Sequence, residues 1–235
     1  MCRLAFNPLV TESVAKHLTC SDTLCCRRVE FASKVVEAYT IVLSFANTNN
    51  WKAHIQKPLF TSVHIYESQK KLWKRIRKVT GSVEKHPPTN GLCAAICNSQ
   101  LMAVAPNVYN QIRPEYARIK NAWTKLLAHE MIHQLHIRLV GMEEKMGPQW
   151  FFEGFAMHGA GQHFGIHITS IQEAINAMHN KSRGSYAKYV AAFEFFIDRI
   201  DLNLMLKRAA EHDFESWLIT LASSTNNNIA TEPDA

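Results

Sequence analysis

One five-residue segment has the residue types and spacing that could hold a metal ion and activate a water molecule. It reads His129-Glu130-Met131-Ile132-His133 and lies within a stretch that has the pattern of a long helix. Two histidines four positions apart differ by about 40° around a helix axis, so both rings can reach one metal ion. Glu130 lies about 100° from His129, near enough to contact a metal-bound water but not aimed at the metal. This arrangement is typical of zinc hydrolases, in which the metal lowers the pKa of its water to about 7 and a carboxylate accepts the proton.

A third ligand is required, because a chain with twelve histidines in 235 residues contains such a segment by chance with a probability of about a few per cent. Gly147-Pro148 marks the start of a new helix, with proline suited to the first turn. The helix continues as Gln-Trp-Phe-Phe-Glu-Gly-Phe-Ala and places Glu153 among large apolar side chains. A buried carboxylate without a partner is costly, so we expect a metal beside Glu153.

The two segments together resemble the gluzincin peptidases, and in particular the aminopeptidase N type with its W-L-x-E-G-F-A segment. Nineteen residues separate His133 from Glu153, which is the spacing of thermolysin-like enzymes and one more than in aminopeptidase N. The metzincin pattern is excluded, since His136 and Leu139 stand where that class has glycine and histidine. The resemblance implies a zinc metallopeptidase in which His129, His133 and Glu153 hold Zn²⁺ and Glu130 is the general base. The resemblance to this family is strongest over residues 123–156.

A later segment extends the resemblance. Tyr186-Ala187-Lys188 is similar to the Y-x-K of the aminopeptidase N type, which implies that the Tyr186 hydroxyl stabilises the oxyanion. The glycine that follows in that family is Tyr189 here. Because Tyr186, Tyr189, Phe193 and Phe196 fall on one helical stripe, an ordinary core position for Tyr186 is an equal alternative.

The substrate is expected to be a peptide or protein. The family carries the substrate backbone on an edge strand before the metal-binding helix, and residues 91–97 are the equivalent here, with small side chains suited to β-augmentation. Nothing in this segment matches the G-x-M-E-N motif that captures a free α-amine, so aminopeptidase specificity is not expected.

Two alternatives to a peptidase stay open. One is a zinc-binding, non-catalytic module for interactions, although an intact Glu130 argues against it. The other is a nucleic-acid-binding protein with a chance metal motif, suggested by a net charge of +6, a pI near 9.0 and the basic run at residues 70–78. Leu72, Trp73, Ile76 and Val79 recur in this run at helical spacing, which favours an amphipathic helix with a solvated basic face and makes a nucleic-acid partner less expected.

The remaining histidines and the cysteines are expected to have ordinary positions. The alternative for the histidines near the motifs is that they donate a hydrogen bond to a metal ligand or transfer a proton; these are His136, His158, His163 and His167. Reduced thiols in a cytoplasmic protein are favoured over disulfides, because a chain of this length has no need of them. We see no signal peptide and no apolar run long enough to span a membrane. The sequence does not predict an oligomeric state.

The wider pattern predicts the elements that hold these residues. We expect helices over 29–47, 68–79 and 114–140, a strand at 59–66, and two antiparallel strands at 92–98 and 100–106. The fold class is therefore α+β. We expect a zincin-like domain with a small, mostly antiparallel sheet packed on the H-E-x-x-H helix and a helical lobe after it. The predicted boundaries are an N-terminal extension at 1–27, the domain at 28–222 and a flexible tail at 223–235.

Overall fold

A computed structural model describes residues 14–88, 91–116, 118–180 and 185–229. The chain packs into two compact units, one ending at Gln134 and the other beginning at Leu135. Residues 1–13 of the predicted extension and 230–235 of the predicted tail lie outside the described ranges. The architecture is α+β, with a four-stranded sheet and a large majority of helix. No helix in the described part of the chain is long and apolar enough to cross a membrane.

The sheet of the first unit differs from the predicted one. Its strands are β1 (Leu18–Cys20), β2 (Ser62–Tyr66), β3 (Ala94–Cys97) and β4 (Gln100–Val104), in the order β1-β2-β4-β3. The pairings β1–β2 and β2–β4 are parallel and only β3–β4 is antiparallel, so the prediction of a mostly antiparallel sheet is wrong. The sequence does not predict β1 because this strand belongs to a segment without recognisable periodicity. The parallel strands β2 and β4 are joined by a long connection, as such a pair needs, and this connection includes the helix between β2 and β3.

The two strands predicted at 92–98 and 100–106 form the expected antiparallel hairpin, which makes β3 an edge strand. Ala94 pairs with Ala103, and Cys97 pairs with Gln100 at the turn. The two turn residues, Asn98 and Ser99, both have positive φ angles, of 47° and 59°. Turns of this kind match the twist of paired strands and keep the hairpin connection short.

The helices that begin in the first unit are α1 (Arg28–Thr48), α2 (Gln69–Thr80), α3 (Pro106–Ile112) and α4 (Ala122–Val140), and α4 continues past Gln134 into the second unit. The basic helix predicted at 68–79 is confirmed as α2. It begins where the Ser68 side chain accepts a hydrogen bond from the Lys71 amide, and it ends at Gly81 with φ of 73°. Its apolar residues Leu72, Trp73 and Ile76 are buried, and its lysines face solvent.

Helix α4 carries the H-E-x-x-H segment and starts later than predicted. Residues Pro114–Tyr116 form a separate short 3₁₀ helix, and Asn121 has a φ of 58°, in the left-handed region through which an α-helix does not continue. The buried indole of Trp123 donates to the Val104 carbonyl at 2.8 Å and fixes the first turn of α4 against β4. The predicted end is confirmed, since the helix stops at Val140 and Gly141 has a φ of 92°.

The second unit is helical, as expected for the lobe after the metal-binding segment. Its helices are α5 (Gln149–Gly159), α6 (Ile171–Met178), α7 (Tyr186–Ile197), α8 (Leu202–Arg208) and α9 (Phe214–Ile229). Helix α9 continues past residue 222, where the tail was predicted to begin. The core is aromatic, because edge-to-face and tilted contacts join the buried side chains Trp150, Phe151, Phe155, Phe193, Phe196 and Phe214.

Candidate metal centre

His129 and His133 stand one turn apart on α4 with their rings turned toward each other. Their Nε2 atoms are 3.0 Å apart, and the ring planes meet at 88° with centroids 4.6 Å apart. Two nitrogens bound to one tetrahedral zinc at 2.0–2.1 Å lie about 3.3 Å apart. The observed separation is within a few tenths of an ångström of that value, so the helix already holds the pair in a chelating arrangement.

Glu153 belongs, with these two histidines, to a group of possible metal ligands. One ligand atom from each of His129, His133 and Glu153 lies within 4.8 Å of the others. Glu153 is on α5 and only 9% exposed, and His129 is equally buried. Two imidazoles and a carboxylate are a donor set that zinc takes in hydrolytic sites, with a fourth position left for water. The residues present therefore fit a zinc ion.

Glu130 is partly exposed and follows His129 on the same helix. Its charge acts on the thiol of Cys93, which lies just before the edge strand β3. Burial raises the pKa of Cys93 to about 11; the positive charge of Arg113 opposes that rise and the negative charge of Glu130 adds to it. The carboxylate of Glu130 is therefore within electrostatic range of Cys93, at the start of the segment that the sequence predicts to bind the substrate backbone.

His136 follows His133 by three residues but has a different environment. It is fully buried, and its ring packs 4.3 Å from the Phe155 ring and 5.8 Å from the Phe151 ring, measured between centroids. These contacts place His136 in the aromatic core of the second unit, in agreement with the ordinary position expected for it.

Tyr186 is the first residue of α7 and is partly exposed, with its ring 6.0 Å from that of Tyr189. Tyr189 is buried, and its hydroxyl donates to the Asn180 carbonyl at 2.7 Å. The core stripe on α7 therefore runs through Tyr189, Phe193 and Phe196, while Tyr186 lies at its edge. The oxyanion role of Tyr186 stays a prediction.

Sequence reasoning missed one group of residues. His158 and His163, expected in ordinary positions, come together with Glu194 of α7 in a second set of three possible metal ligands. Glu194 had a usable signal, because it is an acidic residue inside the apolar run Phe193-Glu194-Phe195-Phe196, as Glu153 is within its own helix. His167 is exposed, as are Glu143 and Glu144 in the short helix after α4.

The chain matches no protein-family model, no curated protein and no solved structure at a significant level. The sequence motifs and the geometry of the site are therefore the features that point to a function.

Proposed function

We propose that this chain is a zinc-dependent metallopeptidase of the gluzincin type with a zincin-like fold. The observation that carries the proposal is the grouping of His129, His133 and Glu153, whose ligand atoms converge although nineteen residues separate the second from the third. The resemblance of HEMIH and WFFEGFA to the gluzincin motifs supports the same assignment.

Each residue has a distinct task in the proposed reaction. His129, His133 and Glu153 hold the ion, which when bound supplies an acidified water and polarises the scissile carbonyl. Glu130 accepts the proton of the attacking water and delivers it to the leaving amine. Tyr186 donates its hydroxyl to the developing oxyanion.

The substrate in this proposal is a peptide or protein segment that pairs with β3. Three features support it: β3 is at the edge of the sheet, three of its four residues are small, and Cys93 just before it is within the electrostatic reach of Glu130. Main-chain hydrogen bonds to an edge strand bind an extended peptide without requiring a particular side chain.

The test begins with zinc content, measured by elemental analysis of the untagged chain after dialysis in zinc-free buffer. We expect Glu153→Ala and His133→Ala each to lose one zinc per chain relative to wild type. Glu143→Ala, at an exposed glutamate between the two motifs, is the matched control and should keep the full amount.

Activity separates an enzyme from a non-catalytic zinc module. Wild-type protein should cleave members of a peptide library, and Glu130→Gln should retain zinc but lose at least about 100-fold in rate, the scale of general acid–base catalysis. Zinc binding with no cleavage of any library would leave the interaction module as the function. A wild type that stays metal-free after zinc loading and binds nucleic acid in a strongly salt-dependent way would overturn the proposal.

A further inference from the structure

The second unit contains a group of metal-donor side chains apart from those of the proposed peptidase site. His158 is near the end of α5, His163 lies in the loop that follows, and Glu194 is on α7. The Nδ1 atoms of His158 and His163 are 3.0 Å and 2.7 Å from the same carboxylate oxygen, Oε1 of Glu194. One ligand atom from each residue lies within 4.8 Å of the others.

The fold brings these three side chains together through close packing of α5 and α7. A Cβ atom at Gly154 would lie 2.7 Å from the Phe193 Cβ and 2.8 Å from the Tyr189 carbonyl oxygen, so the helices approach at a distance that only glycine permits. His158 is one turn beyond Gly154, and Glu194 is the residue after Phe193. The imidazole of His158 also packs on the Phe193 ring, with centroids 5.6 Å apart.

The loop after α5 turns His163 back toward the same point. The Gly161 amide donates to the His158 carbonyl at 3.0 Å, and the Gln162 amide donates to the Met157 carbonyl at 2.8 Å. Gly161 has a φ of 66°, and Gln162 is buried at 7% exposure. The backbone between the two histidines is therefore fixed by hydrogen bonds and burial, which limits the entropy that ion binding would cost.

We propose that His158, His163 and Glu194 form a second site for a divalent transition metal of the zinc class. Two imidazoles and a carboxylate suit Zn²⁺, Co²⁺, Ni²⁺ and Cu²⁺ better than Mg²⁺ or Ca²⁺, which prefer oxygen ligands. The nitrogen–oxygen distances of 2.7 and 3.0 Å are hydrogen-bond distances, about 0.6 and 0.3 Å shorter than the roughly 3.3 Å edge of a tetrahedral zinc site.

The exposure of the three side chains also suits an ion. They are 27% exposed for His158, 53% for His163 and 31% for Glu194, so an ion can enter from solvent and water can complete its coordination. A bound ion would tie the loop after α5 to α7.

The test isolates this group by using the Glu153→Ala variant as background. Isothermal titration of the untagged, chelator-treated variant with Zn²⁺ should give one site per chain. Adding His163→Asn or Glu194→Gln should weaken that binding at least 10-fold. Adding His167→Asn, at an exposed histidine of the same loop, should not change it. Co²⁺ added to the Glu153→Ala variant should give the visible absorption of a tetrahedral or five-coordinate site. Adding His163→Asn should abolish this absorption.

If the Glu153→Ala background does not fold, the same comparison is made in the wild-type chain, where His163→Asn should lower the zinc bound at saturation by one per chain. His163 is exposed, so its replacement does not threaten the core. Two results would show that His158, His163 and Glu194 only hydrogen-bond to each other. One is that the Glu153→Ala variant binds no zinc at 1 mM; the other is that His163→Asn leaves its zinc binding unchanged. Neither result depends on peptidase activity.

Discussion

Replacing Gly154 with alanine tests the close packing of α5 against α7. The added methyl group would lie 2.7 Å from the Phe193 Cβ and 2.8 Å from the Tyr189 carbonyl oxygen. These separations are about 0.6 to 0.7 Å shorter than the ordinary contact limit of 3.4 Å. Neither neighbour is the end of a flexible side chain, so the strain can be relieved only by moving a helix.

Two opposing effects determine how much Gly154→Ala changes the free energy of unfolding. Alanine is favoured over glycine inside a helix by roughly 1 kcal/mol. Overpacking of a well-packed core costs roughly 1 to 3 kcal/mol and occasionally more, and a clash with backbone belongs at the upper end of that range. We therefore expect Gly154→Ala to lower the free energy of unfolding by about 2 kcal/mol.

Urea denaturation followed by circular dichroism measures this change, with Gly81→Ala as the comparison. A Cβ at Gly81 would meet nothing within 4 Å, so the cost there comes from its positive φ alone and is about 1 to 2 kcal/mol. Asparagine tolerates that backbone conformation, so Gly81→Asn should recover part of the loss, whereas Gly154→Ser should be no better than Gly154→Ala. A Gly154→Ala protein as stable as wild type would refute the claim that the two helices touch at this point.

Two other substitutions probe buried groups. Because the pKa of Cys93 is raised from 9.0 to about 11, the folded chain keeps a proton that the unfolded chain releases, so stability should fall as pH rises from 9 to 11. In urea titrations, the difference in the free energy of unfolding between wild type and Cys93→Ala should change by up to about 2.7 kcal/mol between pH 9 and pH 11. A difference that stays constant with pH would show that burial does not raise the pKa of Cys93. Glu215 accepts a 2.7 Å hydrogen bond from the buried indole of Trp150, so Glu215→Ala should cost about 1 to 3 kcal/mol. Glu211→Ala, which removes a surface ion pair, should cost less than about 1 kcal/mol in the same assay, and equal losses would count against a role for the indole contact.

The grouping of His129, His133 and Glu153 as possible metal ligands could be predicted from the sequence because it follows from local rules. The spacing of His129 and His133 on a helix sets their separation, whatever the surrounding fold. Glu153 is identified by the cost of burying an acid, which is a property of its immediate neighbours in the chain. The predicted end of α4 at Gly141 and the capped basic helix α2 also depend on residues within a few positions of each other.

The sheet and the second cluster depend on contacts between distant residues, and there the sequence is less informative. β1 has only three residues, and its pairing with β2 joins Leu18 to Val63 across forty-five positions. A strand this short has no readable alternation, so its parallel direction has no local signal. His158 and Glu194 are likewise brought together by the packing at Gly154, which the sequence alone presents as an ordinary helical glycine.

The geometry of α5 makes the two proposed metal sites separate. Glu153 and His158 are five residues apart, which corresponds to about 140° around the helix axis and about 7.5 Å along it. Side chains that leave a helix about 140° apart point in different directions, which favours two separate ions over one shared ion. Gly154 lies beside Glu153 and one turn before His158, so its packing against α7 positions the second cluster without using any of the three ligands of the first. It follows that His163→Asn should leave the zinc held by His129, His133 and Glu153 in place, and that Glu153→Ala should leave the second site able to bind.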